Sequence, residues 1–261
     1  MNKIQKNQRG FAHIFIVLIA LVLVIGGVFA AFRFVQDNNS TDTAEVTETE
    51  NQSASVKIKN LPIEIDTYDP VTGKAGEVVF PKEEFAEGAL DMIFSSYGFV
   101  VPASSAGAAK ANPQPTFLAP LGTKVRALID GEVVAVTELY SGDFSIHMLG
   151  EGSELIFETE HVINVTVEVG DQVKAGTEIA EVSDYDAHNY AGLGLVEIGV
   201  LKGGNPPSHL CTFDFLDDSI KTETLQKITQ LQDDWEAFRG NTDLYGEEAI
   251  PGCVTQEIIN D

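Results

Sequence analysis

Between residues 125 and 200 the chain is a succession of short β-prone runs separated by Gly/Asp turns. The runs are VRALI (125–129), EVVAV (132–136), FSIHM (144–148), ELIFET (154–159), VTVEV (165–169), EIAEV (178–182) and GLVEIGV (194–200). Asp130-Gly131, Gly170-Asp171 and Ser183-Asp184 punctuate them. No helical pattern intervenes, so a parallel α/β sheet is excluded and a compact antiparallel sandwich or barrel is expected. The Asp-Gly pair at 130–131 predicts a hairpin joining the first two runs. In the last run, period-two alternation sets Leu195, Glu197 and Gly199 on one face and Val196, Ile198 and Val200 on the other.

The flanks read differently. Residues 56–80 alternate weakly through Val56, Ile58, Ile63 and Ile65, then pass a turn-rich DPVTGKAG into EVVF, which predicts a hairpin. Phe85, Leu90, Ile93 and Phe94 fall at roughly helical spacing and predict a short helix within 81–97. Residues 103–115 read as an irregular loop. After Asp217-Asp218, Leu225, Ile228, Leu231, Trp235 and Phe238 recur at three- and four-residue steps. They predict an amphipathic helix that Gly240 stops, packed on the β core or serving partner recognition. Cys211 and Cys253 are the two cysteines. They are either a disulfide pinning the C-terminal segment in an oxidising compartment or two unrelated buried thiols.

Residues 11–32 carry one polar side chain, His13. A helix of this length spans about 33 Å, enough for a bilayer core. Lys3, Lys6 and Arg9 precede it, so the positive-inside rule places the N-terminus in the cytoplasm and the remainder outside it. The GFAHIF opening departs from a type IV pilin signal, because Phe15 stands where that signal carries Glu. Residues 36–55 are polar and acidic and cannot bury enough surface to order themselves. The expected organisation is a cytoplasmic N-terminus (1–10), a transmembrane helix (11–35), a tether (36–55), a hairpin and loop region (56–111), a β domain (112–203) and a C-terminal helical extension (204–261).

Net charge narrows the partners. The formal charge is −24, and the first 36 residues contain no acid, so all of the negative charge lies beyond them. Such a surface repels phosphate backbones and lacks a basic stripe, which excludes a nucleic-acid binder. GxSxG, HExxH, P-loop and dinucleotide fingerprints are all missing from the sequence.

Two segments together, FLAPLGTKVRALIDGEVV (117–134) and VTVEVGDQVKAGTEIAEV (165–182), resemble the core of the lysostaphin/LytM-type peptidoglycan metallopeptidases. The family's duplicated hybrid-motif fold is shared in part with biotinyl and lipoyl carrier domains, and the resemblance spans about residues 112–201. It implies a mainly β, antiparallel sandwich or barrel-like domain, followed here by the short helical extension. The family carries zinc-ligating His and Asp residues eight and four positions before the proline of its Pro-x-Gly-Thr turn. Counting back from Pro120 gives Asn112 and Thr116. A catalytic His ahead of the VGD turn is matched by His161. The final strand's His-x-His, a catalytic group and then a ligand, is replaced by Leu195 and Glu197.

Zinc hydrolysis needs three protein ligands, an open position and a group that handles the proton. Only Glu197 keeps a ligating side chain at a ligand position. The resemblance therefore implies a degenerate, non-catalytic cell-envelope binding or scaffolding module without a cofactor, its partner peptidoglycan or an envelope protein, with His161 and Glu197 lining the old groove. The competing reading is a zinc endopeptidase with displaced ligands. A carrier domain is disfavoured because the 130–131 turn holds no modifiable Lys, and a membrane-fusion adaptor because no segment supplies coiled-coil heptads. His147 in a strand, His209 beside Pro206-Pro207, and His188 in SDYDAH read as structural residues. The Asp spacing of SDYDAH does not match a calcium loop.

Overall fold

The computed structural model describes residues 56–103 and 108–260. The expected cytoplasmic segment, transmembrane helix and tether lie outside the described residues. Among the described residues no helix is long and apolar enough to cross a membrane.

Gly and Asp turns cut the chain into short strands. A hairpin forms from β1 (Lys74–Ala75) and β2 (Val78–Val79), and β3 is Phe94–Ser95. A second small pair is β4 (Val100–Val101) with β5 (Lys110–Ala111). The main run comprises β6 (Thr116–Pro120), β7 (Lys124–Arg126), β8 (Gly131–Glu138), β9 (Phe144–Leu149) and β10 (Leu155–Ile163). It continues through β11 (Gln172–Val173), β12 (Glu178–Val182), β13 (Leu193–Lys202) and β14 (Ser208–Leu210). A 3-10 turn at Thr212–Phe215, helix α1 (Asp218–Arg239) and β15 (Ile259–Asn260) complete the order.

Eleven of these strands form one antiparallel sheet along the path β11-β8-β9-β10-β13-β14-β15. β6 adds to β13 and carries β3, while β12 branches from β10 and carries β7. The path ends at β11 and β15, so this is an open branched sheet, and the barrel-like expectation is corrected to that. β13 is buried along nearly its whole length on both faces. That follows from its sequence, LGLVEIGVLK, which is an almost unbroken apolar run.

The Asp130-Gly131 hairpin does not form. β7 pairs with β12, whereas β8 pairs with β9 and β11. Gly131 serves close approach, because a Cβ there would stand 2.5 Å from the Leu149 carbonyl oxygen. Asp130 is spent on neighbours: its carboxylate accepts from the Ala175 N–H at 3.0 Å and pairs with Lys59 at 2.9 Å. VTVEV (165–169) forms no strand either: its backbone bonds the sheet through the Thr166 N–H to the Ile179 carbonyl at 2.9 Å, and Val169 enters a turn.

The predicted helix within 81–97 is also absent. Pro81 and the left-handed Gly88 (φ 89°) interrupt helical geometry. The apolar residues pack against different partners, the half-buried Phe85 on Tyr190 and Trp235, and the buried Phe94 on Phe117 and Phe213.

The helix expected after Asp217 does form. Asp217 caps it by accepting from the Ser219 N–H at 3.0 Å, and Gly240 (φ 66°) ends it with its own N–H bonded to the Glu236 carbonyl. Ile228, Leu231 and Trp235 form its buried stripe. Trp235 stacks within a cluster of Phe80, Phe85 and Phe238, and its indole N–H donates to the Asp91 carbonyl at 3.0 Å. The helix thereby clamps residues 56–95 to the sheet. Arg126 and Glu77 add a two-point ion pair at 2.7 and 3.1 Å between that segment and β7.

Cys211 and Cys253 are disulfide-bonded, with their Cα atoms 6.0 Å apart. Cross-linking across 42 residues removes chain entropy equivalent to about 4 kcal/mol in a loop-closure estimate. The bond holds Cys253 in a bridge with Tyr97, whose hydroxyl lies 2.8 Å from the His209 carbonyl and 2.7 Å from that of Glu257. Segments 56–111, 112–203 and 204–261 thus share one core.

Replacing Gly131 with alanine should cost about 1–3 kcal/mol, because a methyl must displace the β9 backbone. Denaturant unfolding of the full chain measures this. A loss below 0.5 kcal/mol, the usual range for a surface substitution, would contradict the close-approach role.

Candidate functional site

Three strands align polar side chains in a row. The register pairs Thr116 of β6 with Glu197 of β13, and Glu197 with Glu160 of β10. The Thr116 hydroxyl lies 3.2 Å from Glu197 Oε1 and donates to it.

His161 joins this row through a backbone irregularity. Successive residues of a regular strand face opposite ways, so Glu160 and His161 would diverge. The β9–β10 register shifts between Thr159 and Val162, and His161 adopts a left-handed conformation (φ 59°). This bulge turns the imidazole to the same side as Glu160 and Glu197. Ligand atoms of all three residues lie within 4.8 Å of one another, with His161 Nε2 3.9 Å from Glu197 Oε2.

The imidazole is held from behind. His161 Nδ1 is 2.9 Å from Asp143 Oδ2, which also accepts from the Ser183 hydroxyl at 2.8 Å, and Ser141 bonds the other carboxylate oxygen. Burial pushes the Asp143 carboxyl up, but the bonds from Ser141, Ser183 and His161 together outweigh it and hold it below the usual carboxylate range. Tyr185 stacks on the His161 ring at 3.8 Å with planes 4° apart, and its hydroxyl is 2.7 Å from that of the exposed Tyr140.

A second row lies beside the first. Glu158 pairs in register with Gly199 and with His147. Its carboxylate accepts from Ser145 at 2.9 Å and from Gln114 at 2.9 Å, and lies 2.6 Å from His147 Nε2. Gly199 leaves room for this network, since a Cβ there would meet Glu158 Oε2 at 3.2 Å. Burial acts to raise the Glu158 carboxyl, yet its bond and charge interaction with His147 and its other hydrogen bonds keep it ionised below the normal range. The His147 pKa is raised by the bond to Glu158. Glu160 is pushed up to about 7 by burial and then by the Glu158 charge. Glu197 is also raised to about 7 by burial, which its bond from Thr116 only partly offsets. The face thus concentrates carboxyl groups that a cation would stabilise.

Of the residues singled out from sequence, His161, Glu197 and Thr116 come together here. Asn112 does not join them; its buried amide donates to the Gln114 carbonyl at 2.6 Å and the Ser96 carbonyl at 3.3 Å. Leu195 is buried opposite Leu118. The donor set at the expected ligand positions therefore does not fit a catalytic zinc: one amide points elsewhere, one hydroxyl is spent on a carboxylate, and one carboxylate remains. His188 lies in an exposed loop, 3.9 Å from Asp186, outside the cluster. Sequence reasoning missed Glu160, Asp143, Glu158 and Tyr185. Strand alternation would have found the Glu158–Glu160 pairing with the Glu197 face, but nothing in the sequence announces the bulge.

The model of peptidase family M23 matches residues 115–202. Among solved structures, the solution structure of lysostaphin aligns at 23% identity over 43% of this chain and 44% of that chain, with a TM-score of 0.35. The catalytic domain of a mutant of the prophage-encoded M23 protein EnpA from Enterococcus faecalis aligns at 22% over 44% of this chain and 84% of its own, TM-score 0.35. Lysostaphin from Staphylococcus simulans aligns at 18% over 54% and 56%, TM-score 0.40. The chain thus spans under half the length of the first of these. Comparison with curated proteins finds no match.

Glu158→Ala should cost about 2–4 kcal/mol, because it leaves His147, Ser145 and Gln114 without their shared acceptor. Equilibrium unfolding is the check. A loss under 1 kcal/mol would show that the network is not stabilising.

Proposed function

Residues 115–202 are a domain of peptidase family M23, and from that premise we propose that the chain is a non-catalytic cell-envelope protein that binds peptidoglycan or an envelope partner. In this reading, residues 11–35 anchor it in the membrane with the N-terminus in the cytoplasm, and residues 36–55 tether the β domain outside. The observation that carries the reading is the set of side chains at the family's working positions. Asn112 and Thr116 break the family's ligand set and Leu195 removes one of its two catalytic histidines, leaving His161 as the other, whereas the strands that frame the groove persist. A groove with its backbone frame retained and its chemistry removed suits binding.

The ligand-facing surface in this reading is the floor of Glu197 and His161 with the rim of Tyr185 and Tyr140. Tyr140 is 90% exposed, so its removal leaves the core intact. Full-length protein in detergent and EDTA should co-sediment with purified peptidoglycan, and Tyr140→Ala should weaken that binding several-fold. Protein that stays in the supernatant under these conditions would count against wall binding and leave an envelope protein as the partner.

A further inference from the structure

Glu160 belongs to none of the positions that the family resemblance points to, yet it sits beside His161 and Glu197 with one ligand atom from each within 4.8 Å of the others. Donors bound about 2.1 Å from a tetrahedral ion lie about 3.4 Å apart. The 3.9 Å between His161 Nε2 and Glu197 Oε2 is too long for a hydrogen bond and within a small side-chain rotation of a shared ion. The supporting contacts point the same way. With Nδ1–H donated to Asp143, the lone pair of Nε2 faces the two carboxyl groups, and a carboxylate behind the imidazole is how metal-binding histidines are commonly oriented. Tyr185 fixes the ring plane, Thr116 bonds Glu197 Oε1 on the side away from His161, and Gln114 donates to Glu160 Oε2. The left-handed backbone at His161 is a local cost whose visible result is to bring the imidazole to these carboxyls.

We propose that Glu160, His161 Nε2 and Glu197 form a binding site for a divalent first-row transition ion of the zinc or manganese class. The site shares only Glu197 with the family's ligand positions. Its mixed imidazole and carboxylate donors suit such an ion, whereas calcium seeks six to eight oxygens. The inference rests on side-chain geometry and does not depend on wall binding, and because the sedimentation test is run in EDTA either can fail alone.

The test is equilibrium dialysis of the chelator-stripped full chain against zinc or manganese, with elemental analysis and thermal melts. One ion per chain is expected, with a raised Tm and no competition from an equal concentration of calcium. Glu160→Gln and Glu197→Gln, each nearly isosteric, should keep the stripped protein's Tm and weaken ion binding at least tenfold. The double variant Asp186→Asn, His188→Gln should bind as the parent does. Substoichiometric binding, affinity unchanged in both Gln variants, effective competition by calcium, or loss of binding in the loop variant would overturn the assignment.

Discussion

Strand β13 is the spine on which the fold and site both depend. It pairs with β10 along one edge and with β6 and β14 along the other, and it is buried on both faces. Such a position tolerates little substitution. At Gly194 a Cβ would stand 1.9 Å from the Ser183 carbonyl oxygen, so the strand passes that segment only because Gly194 has no side chain. Ser183 in turn bonds Asp143 and thereby His161. The packing requirement of one strand is continuous with the orientation of the imidazole.

The polar face persists because it is nearly closed on itself. Buried carboxylates are costly unless bonded. Glu158 is matched by Ser145, His147 and Gln114, and Asp143 by Ser141, Ser183 and His161. Glu197 has one bond, from Thr116, whereas Glu160 has one from Gln114 and shares another with the Glu158 carboxylate, and both are pushed toward the protonated form. In the proposed reading, that contrast separates the part of the network that stabilises the sheet from the part that would meet a ligand.

Much of the fold could be read from local pattern. The β-prone runs at 144–148, 154–159, 178–182 and 194–200 become β9, β10, β12 and β13, and the stripe from Leu225 to Phe238 becomes α1 with its Asp217 and Gly240 caps. The failures share a cause: a residue chosen for tertiary contact was read as serving its own segment. Gly131 accommodates the β9 backbone and makes no turn, and Phe85 and Phe94 reach separate neighbours and form no helix face. The site was half legible. His161 and Glu197 followed from the family motifs, but Glu160 did not, because strand alternation sets it opposite His161 and a positive φ at a histidine has no sequence signature.

Residues 115–202 match the model of peptidase family M23, and the proposed binding function dispenses with hydrolysis. In the proposed reading, Thr116 and Leu195 stand where the family carries a zinc ligand and a catalytic histidine, and of the family's ligand positions only Glu197 retains a donor. The most direct measurement is chromatographic analysis of soluble fragments after prolonged incubation of the full chain with purified peptidoglycan and added zinc. A non-catalytic chain releases no fragments above the protein-free control. Zinc-dependent release of peptide-cleaved fragments, abolished by chelation, would contradict the proposed non-catalytic function.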